Sequence, residues 1–239
     1  MTRVAVLASG SGTNLQAILD HQSTLGASAV ANVVLVASDH PDAGALARAR
    51  DAGITALALD REARSSGLGG ILVSHRIELL VLAGYLRLVP ADVVAHFRGR
   101  ILNVHPALLP AFGGAGMYGH KVHEAVIARG LRLTGPTVHF VDERYDEGPI
   151  IAQWPVPVLP GDTADLLAAR VVAVEHRLYP AALDAVAGGR VTLGADGRVA
   201  GWTIPAAGLT TFTLSNVPAD ADPDPLGAAR VDADTTDIT

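Results

Sequence analysis

Over the first 140 residues, short apolar runs alternate with stretches of helical spacing. No other feature limits the fold as much. Residues 3–8 form an apolar run ending in Ser9-Gly10-Ser11-Gly12, which reads as a buried strand and a glycine turn. Leu15, Ile18 and Leu19 then fall on one helix face. Further strands are expected at 32–37, 54–59, 78–83 and 100–105, with the run at 78–83 apolar enough for a central parallel strand. The intervening helices are expected from Pro41-Asp42, with Leu46 buried and Arg48 and Arg50 exposed, over a glycine-broken 61–75, and over 91–97. Strands separated by helices imply right-handed crossovers and an α/β fold, a mostly parallel sheet flanked by helices. Ligands in such sheets bind beyond the strands' carboxyl ends, where residues 9–14, 84–89 and 103–110 would lie.

The rest of the chain changes character. A helix is expected over 120–129, an alternating strand over 134–141 and an extended segment over 149–158, together an antiparallel addition. Residues 163–187 carry the longest helical pattern, with an interruption expected at Pro180, and 191–193 with 199–203 suit a hairpin around Asp196-Gly197. Residues 1–204 therefore read as a single domain and 205–239 as an extension, Asp-rich and disordered from about 219. The net charge of −6 is concentrated there: residues 219–239 hold six aspartates and one arginine, a net of −5, leaving −1 for residues 1–218. A near-neutral body argues against nucleic acid held by a basic field. The absence of cysteine excludes disulfides and thiolate metal sites. No apolar run is long enough for a membrane span, and the N-terminus lacks a signal-peptide pattern, so a cytoplasmic protein is expected.

Three segments are candidates for chemistry. The turn Gly10-Ser11-Gly12-Thr13-Asn14 offers backbone N–H groups and a helix N-terminus to a phosphate; a plain tight turn fits the same residues. It lacks the third glycine of the dinucleotide fingerprint and the lysine of a P-loop, so a mononucleotide or sugar phosphate suits it better than NAD or ATP. In Asn103-Val104-His105-Pro106 the first and third residues share a strand face. A carboxamide can donate to a developing oxyanion, and an imidazole can donate or shuttle a proton; a loop-capping histidine is the alternative. The acidic turn 142–149 could hold a carboxylate against His105, favouring the imidazolium and raising its pKa, or could be merely solvated. His139 reads as a structural histidine. His120 and His123 are three apart without a partnered carboxylate motif, so no metal is expected.

These segments, in order and with near-family spacing from about residue 2 to 190, resemble the phosphoribosylglycinamide branch of the folate-dependent formyltransferase family. The resemblance is carried by Gly10-Ser11-Gly12-Thr13-Asn14-Leu15-Gln16, Leu82-Ala83-Gly84-Tyr85-Leu86-Arg87, Asn103-Val104-His105-Pro106 with Leu108-Leu109-Pro110, and Thr137-Val138-His139-Phe140-Val141 with Asp146-Glu147-Gly148-Pro149. It implies a Rossmann-like formyltransferase fold and formyl transfer from 10-formyltetrahydrofolate to glycinamide ribonucleotide in purine biosynthesis, with no metal. It also implies roles: Asn103, His105 and Asp146 catalytic; Gly12, Thr13 and Asn14 on the ribonucleotide phosphate; Val172, Ala173, Val174 and Glu175 at the glycinamide end. Leu86, Arg87, Leu88 and Val89, Asn103, the loop Asp142, Glu143, Arg144, Tyr145 and Asp146, and Arg61 would meet the folate. The loop after Pro110 is longer than the family's usual form. A further 10-formyltetrahydrofolate enzyme, of the hydrolase or methionyl-tRNA type, and a non-catalytic sugar-nucleotide-binding module are the competing readings. The expected partners are the two small molecules, with no nucleic acid or membrane, and a homodimer is left open.

Overall fold

The computed structural model describes residues 1–201; the extension expected from 205 and residues 202–203 of the expected hairpin lie outside the described residues. In chain order the elements are β1 (Thr2–Leu7), α1 (Thr13–Leu25), β2 (Ala31–Ser38), α2 (Gly44–Asp51), β3 (Thr55–Ala58), α3 (Leu68–Ser74), β4 (Leu79–Leu82), α4 (Ala91–His96) and β5 (Ile101–His105). There follow α5 (His120–Ala128), β6 (Leu133–Thr134), β7 (Thr137–Phe140), β8 (Ile150–Gln153), β9 (Val156–Pro157), α6 (Ala164–Ala187), β10 (Thr192–Leu193) and β11 (Val199–Ala200). Seven strands form one sheet in the order β3-β2-β1-β4-β5-β7-β8. The first five in that order run parallel, while β7 is antiparallel to β5 and β8 to β7. β6–β9 and β10–β11 are separate antiparallel pairs.

Strand periodicity sorts the core into two layers. Val4, Val6, Leu79, Val81, Leu102 and Val104 pack under Leu15 and Ile18 of α1, Leu46 of α2 and Leu178 of α6. Their neighbours Ala5, Leu7, Leu80, Leu82 and Ile101 face α3 and α4 through Leu68, Leu72, Val93 and Phe97. The β1–β2 register slips between Val4 and Ala5, so that Val33 and Val36, three residues apart, reach the same layer. β7 is buried at all four positions instead of alternating, because β5 and β8 flank it and both faces are covered.

Other local expectations failed too, and the strand expected over 134–141 is split between β6 and β7 in different sheets. α2 begins at Gly44, not at Pro41. Of the helix expected over 61–75 only Leu68–Ser74 forms, after a run of turns. Arg48 is half-buried, its Nε–H donating to Ser11 O at 2.9 Å and its Nη1 to Gln16 Oε1 at 3.0 Å. α6 runs unbroken through Pro180. A proline there removes one helical hydrogen bond, but Leu178, Tyr179, Pro180, Ala182 and Leu183 are all buried, and that packing outweighs the local penalty. The fully buried Tyr179 hydroxyl, at 3.0 Å from Leu82 O and 2.9 Å from Leu102 O, ties the helix to β4 and β5. Among the described residues no helix is long and apolar enough to cross a membrane.

Candidate active site

Two clusters form at the carboxyl edge of the sheet. The first is the turn between β1 and α1. Gly12 caps α1 at φ 76°, where a Cβ would lie 2.7 Å from the Ala45 Cα, so glycine is required both by conformation and by packing. Gly44 is confined by packing alone: a Cβ there would lie 2.9 Å from the Ser11 carbonyl oxygen. The Ala45 N–H donates to Gly10 O at 3.2 Å, which with Arg48 clamps the turn to α2. No side chain caps the first turn of α1, so its amides remain open to an anion. The Asn14 Nδ2 donates to Glu175 Oε2 at 2.8 Å, bringing together two residues 161 positions apart. Burial pushes the Glu175 carboxyl above its ordinary pKa, and the Asn14 bond offsets only part of this. Val172, Ala173 and Val174 occupy the preceding turn of α6, with Ala173 exposed.

The second cluster lines a cavity of about 290 Å³ between residues 84–89, 103–106, 114–119 and 139–146. The β5–β7 register sets Asn103 opposite His139 and His105 opposite Thr137. The His139 Nδ1–H donates to Phe140 O at 2.8 Å, so its Nε2 is the acceptor for Asn103 Nδ2–H at 3.1 Å. The same amide nitrogen donates to Asp146 Oδ1 at 3.4 Å, the longer contact. Asp146 Oδ2 accepts the Gly114 N–H at 3.0 Å and lies 3.4 Å from His105 Nδ1. His105 Nε2–H donates to Phe112 O at 2.8 Å. Asp146 and Phe112 both have φ 57°, unusual for non-glycine residues, so the long loop and the acidic turn are bent toward each other at this point. Gly113 makes the approach feasible, since a Cβ there would lie 2.6 Å from Leu109 Cδ2 and 3.2 Å from Asp146 Cβ.

The electrostatics correct one expectation. Burial lowers the His105 pKa, and the Asp146 charge with the Phe112 bond recovers only part of the loss, so the imidazole rests neutral near pH 7. Asp146 behaves as expected of a carboxylate in this setting. Burial opposes its charge, but its polar surroundings, the Gly114 N–H at 3.0 Å among them, outweigh that and hold its pKa below the usual range.

Asn103, His105, Leu86, Arg87, Leu88, Val89, Asp142, Arg144, Tyr145 and Asp146 all line the cavity. Glu143 and Arg61 do not; both are exposed. Gly12, Thr13, Asn14 and residues 172–175 belong to the first cluster, beside the cavity. His139, read from the sequence as a structural histidine, is buried at the centre of the network with both ring nitrogens bonded; sequence reasoning missed Thr137. The Thr137 hydroxyl donates to Ala107 O at 2.6 Å and accepts from Leu109 N and Gln153 Nε2, each at 3.0 Å, fixing the segment after His105. The signal for Thr137 was the strand face it shares with His139, which gains meaning once β7 is paired with β5.

A family model described as Formyl transferase matches residues 2–183. The chain is 43% identical over 202 residues to phosphoribosylglycinamide formyltransferase, chloroplastic, of Arabidopsis thaliana, a match covering 82% of this chain and 68% of that one. It is 42% identical over 203 residues to the trifunctional purine biosynthetic protein adenosine-3 of Gallus gallus, covering 82% of this chain but 20% of that protein. Among solved structures, glycinamide ribonucleotide transformylase 1 from Symbiobacterium toebii superposes with a TM-score of 0.77 at 44% identity, over 85% of this chain and 95% of the other.

Proposed function

The chain belongs to the formyl transferase family, and on that premise we propose that it transfers the formyl group of 10-formyltetrahydrofolate to the amine of glycinamide ribonucleotide, giving formylglycinamide ribonucleotide and tetrahydrofolate. The observation that carries the reading is the placement of the Asn103–His105–Asp146 network on a cavity wall beside an uncapped helix N-terminus. The cavity suits a reduced folate: Leu88, Val89, Met117 and Val141 provide apolar surface, and the backbone of 84–89 and 142–146 provides polar groups for a heteroaromatic ring.

The co-substrate supplies the one-carbon unit. The residues of the chain bind, orient and stabilise charge. Gly12, Thr13 and Asn14 hold the ribonucleotide phosphate with first-turn amides. Glu175, fixed by Asn14, accepts from the amine end, with residues 172–174 forming the adjoining wall. Attack of the neutral amine on the formyl carbon places negative charge on the formyl oxygen. Asn103 is the donor for it: its N–H contact to Asp146 is long and weak, so exchange for an oxyanion costs little. His105 rests neutral and takes up the proton released by the attacking amine, with Asp146 ready as counter-ion on its Nδ1 side; return of that proton to N10 of the folate lets the bond between the formyl carbon and N10 break, and tetrahydrofolate leaves. Losing one oxyanion donor typically costs ~2.7–4 kcal/mol. We also assign the cytoplasm, which suits a chain without cysteine.

The test is turnover of 10-formyltetrahydrofolate with glycinamide ribonucleotide as acceptor. The expected result is stoichiometric formyl transfer to that amine. Turnover only with water or with methionyl-tRNA would overturn the reading.

A further inference from the structure

A polar chain outside the network joins three adjacent strand ends. The Ser9 hydroxyl, just past β1, donates to Asp39 Oδ1 at 2.6 Å and accepts the Leu86 N–H at 3.1 Å. Asp39, just past β2, accepts Arg87 Nε–H on its other oxygen at 2.6 Å. His40 Nε2 lies 3.6 Å from that same oxygen. The Asp39 side chain is 2% exposed and that of Arg87 is 48% exposed. Asp39 does not line the cavity. It holds two consecutive residues of the segment that does: Leu86 through Ser9, and Arg87 directly.

The segment after β4 needs such support. It leaves the strand through Gly84 at φ 73°, and its apolar anchors Tyr85 and Val89 lie at its ends. In its middle, Leu86 and Leu88 are about half exposed and contribute little burial. Charge-assisted hydrogen bonds to a buried carboxylate are therefore the main restraint on the part of the loop that faces the cavity.

We propose that Asp39 is a positioning residue for the folate pocket, setting the cavity wall at Leu86–Arg87 through Ser9 and the Arg87 guanidinium. This rests on the functional reading above, in which residues 86–89 contact the folate. Asp39→Asn keeps the shape and an acceptor for Ser9 but removes the charge that holds Arg87. The expected result is a rise of about tenfold in KM for 10-formyltetrahydrofolate, with kcat and KM for the ribonucleotide within about twofold of wild type. Equilibrium binding of tetrahydrofolate to the full chain should weaken by the same factor. Arg87→Gln should reproduce the rise, and the double variant should add nothing further, because both changes break one unit. Arg87 itself lines the cavity, so if Asp39→Asn does not fold, Ser9→Ala carries the test: it cuts the link from Asp39 to Leu86 without touching the cavity and should raise the folate KM alone, and an unchanged folate KM there would overturn the proposal. Folate KM and tetrahydrofolate affinity within about twofold of wild type in folded Arg87→Gln, or fully additive effects in the double variant, would overturn the proposal. An absence of turnover with glycinamide ribonucleotide in the wild type would count against the functional reading instead, and the tetrahydrofolate titration would still report on Asp39.

Discussion

The turn at residues 9–14 and the network around Asp146 lie at one edge of one sheet, yet they are built differently. The turn is local. Its conformation follows from Gly12, its open donors are backbone amides, and its main tether is the neighbouring helix α2. The network is assembled from four separate segments: Asn103 and His105 on β5, Phe112 and Gly114 on the long loop, His139 on β7, and Asp146 on the turn after it. A site made from backbone tolerates most side-chain changes but not a wrong φ. A site made from converging side chains is sensitive to each member.

That contrast orders the effects of substitution. Asp146→Asn removes the charge around which the network is arranged. It should lower kcat by roughly 10²–10⁴-fold, the usual range for a lost acid–base partner. Ribonucleotide binding, measured by titration, should remain, since the turn at residues 9–14 is a separate cluster. Asn103→Ala should lower kcat by roughly 10²–10³-fold with a small change in KM, as expected of an oxyanion donor; near-normal kcat would remove Asn103 from that role.

Gly12→Ala tests the opposite half. The new Cβ would meet Ala45 Cα at 2.7 Å in a left-handed conformation. A loss of about 1–3 kcal/mol in unfolding free energy is expected, with KM for the ribonucleotide raised more than KM for the folate. Equal changes in both KM values would mean the two clusters are not separable.

The effect furthest from catalysis is on the pH dependence of stability. His123 is buried beside the network with its Nδ1 unpartnered, and burial first, then the charges of His120 and His105, lower its pKa to about 4. A histidine with a depressed folded pKa takes up its proton more readily when unfolded. Its contribution to stability is thus intact above about pH 6.5 and is lost as pH falls toward about 4. His123→Leu should flatten the stability profile in that window by up to about 1.4 kcal/mol per pH unit, the value for one proton. Denaturant unfolding at stepped pH checks it; an unchanged slope would exclude His123 as the titrating group.

Much was legible in the sequence where the physics is short-range. Strand and helix alternation implied the parallel sheet, and the glycine turn lies where it was expected. The same-face spacing of Asn103 and His105 holds because strand periodicity is a property of the backbone itself. The errors have long-range causes. Arg48 was assigned to solvent by helical periodicity, but the Ser11 carbonyl and Gln16 lie within its reach. Pro180 is carried inside a helix by the burial of its neighbours. His105 was expected to become more basic beside a carboxylate, but sequence does not report desolvation, and here desolvation is the larger effect.

What the sequence determined by itself is therefore the repeating architecture and the residue types at the sheet's carboxyl edge, since both depend on period and on local backbone preference. Only the tertiary structure decided which of them meet. Pairing β7 antiparallel to β5 puts His139 opposite Asn103. The packing of α6 on α1 brings Glu175 to Asn14. The bend of the long loop places Phe112 and Gly114 against His105 and Asp146. Each of these contacts joins segments far apart in the chain, and register and burial, which act across the whole domain, select them.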